Sequence, residues 1–335
     1  STTPLAAARS QVEHWLARAA LRFGQAADAA GLPNGYPSSA GDAAALVYAA
    51  RVNGDLRSVE ANAKSFWRSP EVLVERALAF GQADPASALK WMQGALEQNA
   101  HIAPYHALAA RIAQDTGQVQ TALDHIRRAL ALSPMQALWH SFAGKLLQQA
   151  GALTDAIDYL QHAVAMQPNE AERHYELGQA EMAAEQYPFA QKSFAQATKL
   201  QPSEARYTLA LAQAYKHSGE LQQAYATAAS AHQLAPSMNA ALVLQAEIAL
   251  QTSDTADAKR LAEDALRLAP TDSKALNVYA ECLHAIGEVD DALAVLERAE
   301  QYAQDKLPIQ LRRAQLLPAE KGLSEVLRLS KANTE

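Results

Sequence analysis

Between residues 103 and 306, apolar residues fall at i, i+3, i+4 and i+7 in paired stretches separated by a short polar step. That spacing puts one apolar stripe along an α-helix, so each pair predicts two amphipathic helices joined by a tight turn. The pairs recur. Pro134, Pro168, Pro202, Pro236 and Pro270 are each 34 residues apart, a regularity that marks a repeat array.

Placing that proline at position 32 of a 34-residue frame gives units 103–136, 137–170, 171–204, 205–238, 239–272 and 273–306. Two columns test the frame. Position 20 is Ala122, Ala156, Ala190, Ala224, Ala258 and Ala292; position 27 is Ala129, Ala163, Ala197, Ala231, Ala265 and Ala299. Position 8 is always Ala or Gly, and position 15 is Gly except at Glu185 and Ser253. Small residues recur where two helices must cross closely. Glycine at position 15 permits the positive φ that ends a first helix, and proline at position 32, lacking an N–H, closes the second.

The 34-residue length, the small residue at 8, Gly at 15, Ala at 20 and 27 and Pro at 32 together resemble the tetratricopeptide repeat family. Unit 137–170 is most similar, with Trp139, Gly144, Gly151, Ala156, Leu160, Ala163 and Pro168. The resemblance implies an all-α fold, a right-handed α-solenoid of stacked antiparallel helix pairs. Three departures stand out. The family's aromatic at position 4 is absent, Gln245 occupies an apolar position 7, and Glu181 sits at position 11, so those units are expected to pack more loosely.

Outside 103–306 the pattern weakens. Residues 69–102 keep Ala88 and Ala95 in frame but have Ala100 in place of proline, a degenerate unit. Residues 41–67 read as a further hairpin turning at Asn53-Gly54-Asp55, which makes 41–102 a pair of degenerate hairpins. Before them, 5–31 reads as one alanine-rich helix and 32–40 as a loop rich in helix breakers, an N-terminal segment of 1–40. At the other end, 308–317 resembles the first helix of one more unit and 319–331 a polar-faced helix. Residues 307–335 are thus expected to cap the array and hide its last apolar face.

Composition narrows the class. At 49% hydrophobic and 19% charged, the chain of 335 residues buries a large interior. Its longest apolar run, AAALVYAA at 43–50, is far short of the roughly 20 residues that cross a bilayer. The net charge of −7 argues against nucleic acid, which calls for a basic stripe. That charge is local: residues 239–306 hold 13 Asp/Glu against 6 Lys/Arg, while the rest of the chain holds 23 of each. The chain opens on Ser1 and lacks the charged start and apolar stretch of a leader, so a leader preceding Ser1 would already have been removed. The sequence does not choose between a cytoplasmic and an exported protein.

Candidate chemistry is sparse. Cys282, the single cysteine, forms no internal disulfide and falls in an apolar column with Ile112, Leu146 and Ile248, so a buried filler is expected. His106, His140 and His174 share position 4 of consecutive units. Helices pack 8–10 Å apart, too far for one metal ion to bridge equivalent points on neighbouring hairpins. These imidazoles are expected to replace the usual aromatic at a packing surface. No phosphate loop, dinucleotide fingerprint or nucleophile elbow is present, so neither a cofactor nor an enzymatic role is expected.

What remains is surface. The resemblance implies that positions 2, 5, 9, 12 and 13 of each first helix line a concave groove for peptides or partner helices. Position 9 runs Arg111, Lys145, Gln179, Gln213, Glu247, Glu281, from positive through neutral to negative, which suggests an oriented ligand. At position 5, Tyr175, Leu209 and Val243, with Met182 and Leu250 at position 12, form an apolar stretch in the middle units. The expected function is a non-enzymatic adaptor holding a protein or peptide in that groove. Neither the Lys-and-Asn pair of acid-binding co-chaperone repeats nor the asparagine ladder of the sugar-transferring relatives is present. Two alternatives stand beside it: a structural subunit of a cell-envelope or secretion assembly, carried by a lost lipid anchor, and self-association through the convex face or through 5–31.

Overall fold

The structure is a computed structural model describing residues 47, 50, 51 and 54–332. The helix expected over 5–31 and the loop over 32–40 lie outside the described residues, as does most of the first arm of the hairpin expected over 41–67. Among the described residues, the regular structure is seventeen α-helices and one 3-10 turn at Lys64–Phe66, with no strand.

Two compact units divide the chain, Ser1–Ala152 and Leu153–Glu335. The first contains α1 (Leu56–Ala63), α2 (Pro70–Phe80), α3 (Pro85–Gln98), α4 (Ala103–Asp115), α5 (Val119–Leu132) and α6 (Ala137–Gln149). The second begins with α7 (Leu153–Met166), α8 (Ala171–Ala183), α9 (Tyr187–Leu200), α10 (Ala205–His217) and α11 (Leu221–Leu234). It continues with α12 (Asn239–Gln251), α13 (Thr255–Leu268), α14 (Ser273–Ala285), α15 (Val289–Tyr302), α16 (Leu307–Leu316) and α17 (Ala319–Ala332). Within each unit, consecutive helices pack on one another as stacked hairpins.

The period survives folding to the residue. The first helices α4, α6, α8, α10, α12 and α14 each have 13 residues and start every 34. The second helices α5, α7, α9, α11, α13 and α15 each have 14 and keep the same interval.

The turn between them is built the same way each time. The residue at position 15 lies in the left-handed region, at φ 73° for Gly117, 77° for Gly151, 83° for Gly219 and 88° for Gly287. The N–H at position 16 then reaches back to the carbonyl at position 11, as in Gln118 to Ala113 at 2.9 Å and Glu220 to Tyr215 at 2.9 Å. That bond satisfies a carbonyl the helix end would otherwise leave bare. Glu185 and Ser253 adopt the same conformation, at φ 57° and 63°, and their turns close with the same bond.

Second helices also end alike, the N–H at position 31 bonding the carbonyl of the position-27 alanine, as in Gln201 to Ala197 at 3.0 Å. All twelve alanines at positions 20 and 27 have no solvent exposure. At position 8 of α8, a Cβ added to Gly178 would lie 2.6 Å from Cε1 of Phe194 on α9, so there only glycine allows the crossing. Larger side chains fill the space both between and within hairpins: Leu160 of α7 and Leu177 of α8 share a cluster across one seam, and Leu276 of α14 and Leu296 of α15 share one inside a hairpin. Each fully buried leucine contributes roughly 1.5–3 kcal/mol.

The departures from the family pattern are accommodated inside. Glu181 is buried and its Oε2 accepts a 2.7 Å hydrogen bond from Ser193 Oγ on α9. Burial drives its carboxyl above the ordinary glutamate value, and the Ser193 bond opposes that rise. Gln245 is buried as well.

The C-terminal end departs from expectation. Ile309 of α16 does cover the cluster of α14 and α15. On α17, however, Leu323, Val326 and Leu327, at i, i+3 and i+4, are 64%, 38% and 53% exposed. The last helix shows water an apolar stripe, whereas the polar face expected of it would have hidden one.

Candidate functional site

Position 4 shows how first helices are seated before any ligand is considered. His106, His140 and His174 each place Nε2 against the carbonyl of the preceding position 32: Ala100 at 3.0 Å, Pro134 at 2.9 Å and Pro168 at 2.9 Å. A carbonyl only accepts, so Nε2 carries the proton. The three imidazoles are thus hydrogen-bonded clamps on the loop between hairpins, where apolar packing had been expected. His106 also brings Nδ1 to within 3.1 Å of Nδ1 of His125 on α5. With His106 Nε2 donating to Ala100, its Nδ1 is the acceptor and His125 Nδ1–H the donor.

In the first compact unit, Arg111 of α4 and Lys145 of α6 are exposed at position 9. Leu138 of α6, at position 2, is exposed too, and Gln114 Nε2 donates to Gln149 Oε1 at 3.3 Å along the same helices.

In the second unit the expected residues divide by chemistry. Gln179 and Gln213 are exposed. Tyr175 is half-buried between the rings of Phe194 and Tyr207, at 5.7 and 5.1 Å, with the Arg206 guanidinium 5.2 Å from its centroid. Its hydroxyl accepts from Gln179 Nε2 at 3.1 Å, and burial raises its pKa. Met182 packs against the cluster that holds Phe194 and Leu211, Leu209 against the one that holds Ala228 and Leu244, and Leu250 against the cluster of α12, α13 and α14. Val243 is a member of that cluster and only 5% exposed. The apolar stretch is therefore mostly spent on holding hairpins together.

The acidic end of the column is spent as well. Glu247 is ion-paired with Lys216 of α10, and Glu281 with Arg312 of α16. Glu281 also accepts from Asn277 Nδ2 at 3.2 Å. The passage from positive to negative read along position 9 thus becomes, in side-chain contacts, positive in the first unit and locally neutralised acids in the second.

Several of the expected residues line a concavity. A cleft of about 170 Å³ opens between α10, α12 and the start of α14, floored by Val243 and Leu244 and rimmed by Gln213, Lys216, Glu247 and Lys274. Three of the expected residues, Gln213, Val243 and Glu247, meet there. Sequence reading missed its other walls: Lys216 and His217 at positions 12 and 13, Ala240 and Lys274 at position 2, and Asp272. Columns 2 and 13 were open to the same reading as 5 and 9. Asp272 had only a capping signature; its Oδ1 accepts from Lys274 N at 2.8 Å and Ala275 N at 3.3 Å.

Among the described residues, no three His, Cys, Asp or Glu side chains gather into a metal-holding group. Cys282 is fully buried, and desolvation pushes its thiol up to about 11, so it stays protonated at neutral pH. Among the described residues no helix is long and apolar enough to cross a membrane.

Stacked hairpins on a fixed period, with side chains of the first helices left facing solvent, define a helical-repeat protein of the kind that serves as a scaffold for protein–protein contact. Sequence models described as tetratricopeptide repeat match residues 107–171, 175–239 and 249–316. The chain belongs to the tetratricopeptide repeat family.

No curated protein matches it significantly by sequence. Solved structures agree on the fold. A tetratricopeptide repeat protein from Parabacteroides merdae superposes with TM-score 0.62 at 18% identity, over 74% of this chain and 98% of that one. The C-terminal part of a repeat protein from Cytophaga hutchinsonii gives 0.59 at 20%, over 68% and 96%. Yeast Tom70 gives 0.54 at 16%, over 88% of this chain and 64% of its own.

Proposed function

We propose that this protein is a non-enzymatic adaptor that binds a peptide or partner helix along the solvent-facing side of its first helices. The observation that carries the reading is the division of labour at positions 5 and 9. Apolar residues and acids there are committed to packing and ion pairs, while Arg111, Lys145, Gln179 and Gln213 remain exposed. Long polar side chains held on rigid helices suit recognition of an extended or helical peptide.

Affinity capture from the source lysate, followed by titration of the captured partner, tests it. A partner held by wild type should bind roughly tenfold or more weakly to the Arg111→Glu/Lys145→Glu variant, with the helical signal unchanged, because both sites are exposed. Equal binding by both proteins would remove this face as the binding surface.

A further inference from the structure

Outside the six regular units, the column of small residues is broken. From 103 to 306 position 8 holds only Ala or Gly, but in the degenerate unit 69–102 it is Arg76, on α2. A side chain of that length does not fit a close helix crossing, and Arg76 instead bridges its neighbours. Its guanidinium carbon lies 4.1 Å from the centroid of the Trp91 ring on α3, and Nη2 donates to both carboxylate oxygens of Glu60 on α1, at 2.9 and 3.1 Å. Beside this arginine a cleft of about 240 Å³ opens between α1, the 3-10 turn and α2, lined by Glu60, Ala63, Lys64, Trp67 and Arg76.

The charge of the cleft is one-sided. Glu60 is the one acid among its lining residues, and both of its oxygens are taken by Arg76. Lys64 is exposed and, like Arg68 beyond it, makes no ion pair with the described residues. Between these two cations Trp67 is 53% exposed, with the Arg68 guanidinium 4.5 Å from its ring centroid. The indole is carried on a fixed turn. Ser69 N–H bonds the Phe66 carbonyl at 2.9 Å, and Gln98 Nε2, from the end of α3, donates to the Arg68 carbonyl at 2.8 Å. An engineered cavity of about 150 Å³ holds a benzene ring, so about 240 Å³ has room for a ring and an attached acidic group.

We propose that this cleft binds a small aromatic anion, an aryl carboxylate or phosphate. The ligand's ring packs on the exposed part of the Trp67 indole, offset or edge-on as ring quadrupoles favour. Its anionic group is drawn to Lys64, with Arg68 adding charge of the same sign. The Arg76–Glu60 pair forms a wall without net charge. A cationic ring would meet Lys64 with no free carboxylate to receive it, and Arg68 already occupies one face of the indole, so the site discriminates by the sign of the ligand's charge. The site stands outside the regular array and does not rest on the peptide-binding reading.

Ligand-observed NMR on the full chain tests it, with phenylacetate, indole acetate and phenyl phosphate as probes and phenethylamine as the cationic control. At least one of the anions should bind saturably and the amine should not, and the preference among the anions separates carboxylate from phosphate. Trp67→Ala should abolish the binding, and Lys64→Glu should weaken it by about tenfold. Both side chains are exposed, so circular dichroism should show the helices unchanged. Arg111→Glu/Lys145→Glu should leave the affinity as it is in wild type. Equal binding of phenethylamine, binding that survives Trp67→Ala, or loss of binding on Arg111→Glu/Lys145→Glu would each overturn the proposal. So would the absence of saturable binding by all three anions.

Discussion

The bond between His106 and His125 requires one unprotonated Nδ1, and the environment enforces it. Desolvation lowers the pKa of His106 against the opposing pull of the Ala100 hydrogen bond, with the Arg128 charge acting alongside desolvation. His125 is lowered by desolvation, then by His106 and Arg128, against a small opposing pull from Asp124. Unfolded, both would titrate near 6.5. Below that value the unfolded chain binds more protons than the folded one, so stability is full above about pH 6.5 and declines as pH falls through it. Melting temperatures at pH 7.5 and 5.5 should therefore differ, and the drop should shrink in His125→Asn, which keeps a donor toward His106 but does not titrate. An equal drop in both would unlink the pair from acid sensitivity. The histidine column itself was legible in the sequence. Its partners were not, because a backbone carbonyl leaves no residue type to read, and His125 is brought in by helix packing. Thr208 occupies the same position-4 column with a hydroxyl too short to reach the loop, and its Oγ1 is buried without a partner.

At the scale of the element, the six turns are one design executed with two kinds of residue. Gly117, Gly151, Gly219 and Gly287 hold the left-handed conformation at no steric cost. Glu185 and Ser253 hold it against the clash between Cβ and the following carbonyl. Their turns close with the same hydrogen bond as the glycine turns, from Gln186 N to Glu181 O at 2.8 Å and from Asp254 N to Ala249 O at 2.9 Å. A Cβ at any of the four glycines would meet nothing within 4 Å, so φ alone sets the difference. Glu185→Gly and Ser253→Gly should each stabilise the protein by roughly 1 kcal/mol. Chemical denaturation measures this, and a loss of stability in either variant would mean that its side chain contributes something the turn geometry does not show. Helix count and boundaries in this region were legible because columns 8, 15, 20, 27 and 32 state where helices cross and stop. The exposed face of α17 was not, since α17 starts at Ala319, out of step with the 34-residue frame that defines the covered side elsewhere.

For the whole molecule, stability in an array is a sum of hairpins and the seams between neighbours. Gly178→Ala forces a Cβ into the buried ring of Phe194 and should cost about 1–3 kcal/mol. The damage should stay local: hydrogen exchange is expected to rise in α8, α9 and the adjacent α10, and to remain unchanged in α14 and α15. A uniform loss of protection across 153–332 would show one cooperative body instead. The face proposed for binding was half legible for a related reason. Its columns follow from the period, but whether a given side chain faces a ligand or a neighbour depends on the seam beside it. Val243 and Glu247 were drawn into the packing and pairing of adjacent helices. Because helix starts and turns recur every 34 residues without drift between 103 and 306, length in this array is quantised. Excising residues 205–238 as a block would leave position 34 joined to position 1, with every clamp, turn and crossing still in phase. Removal of any smaller number would set two helical faces out of step, so evolution is free to count here only in whole hairpins.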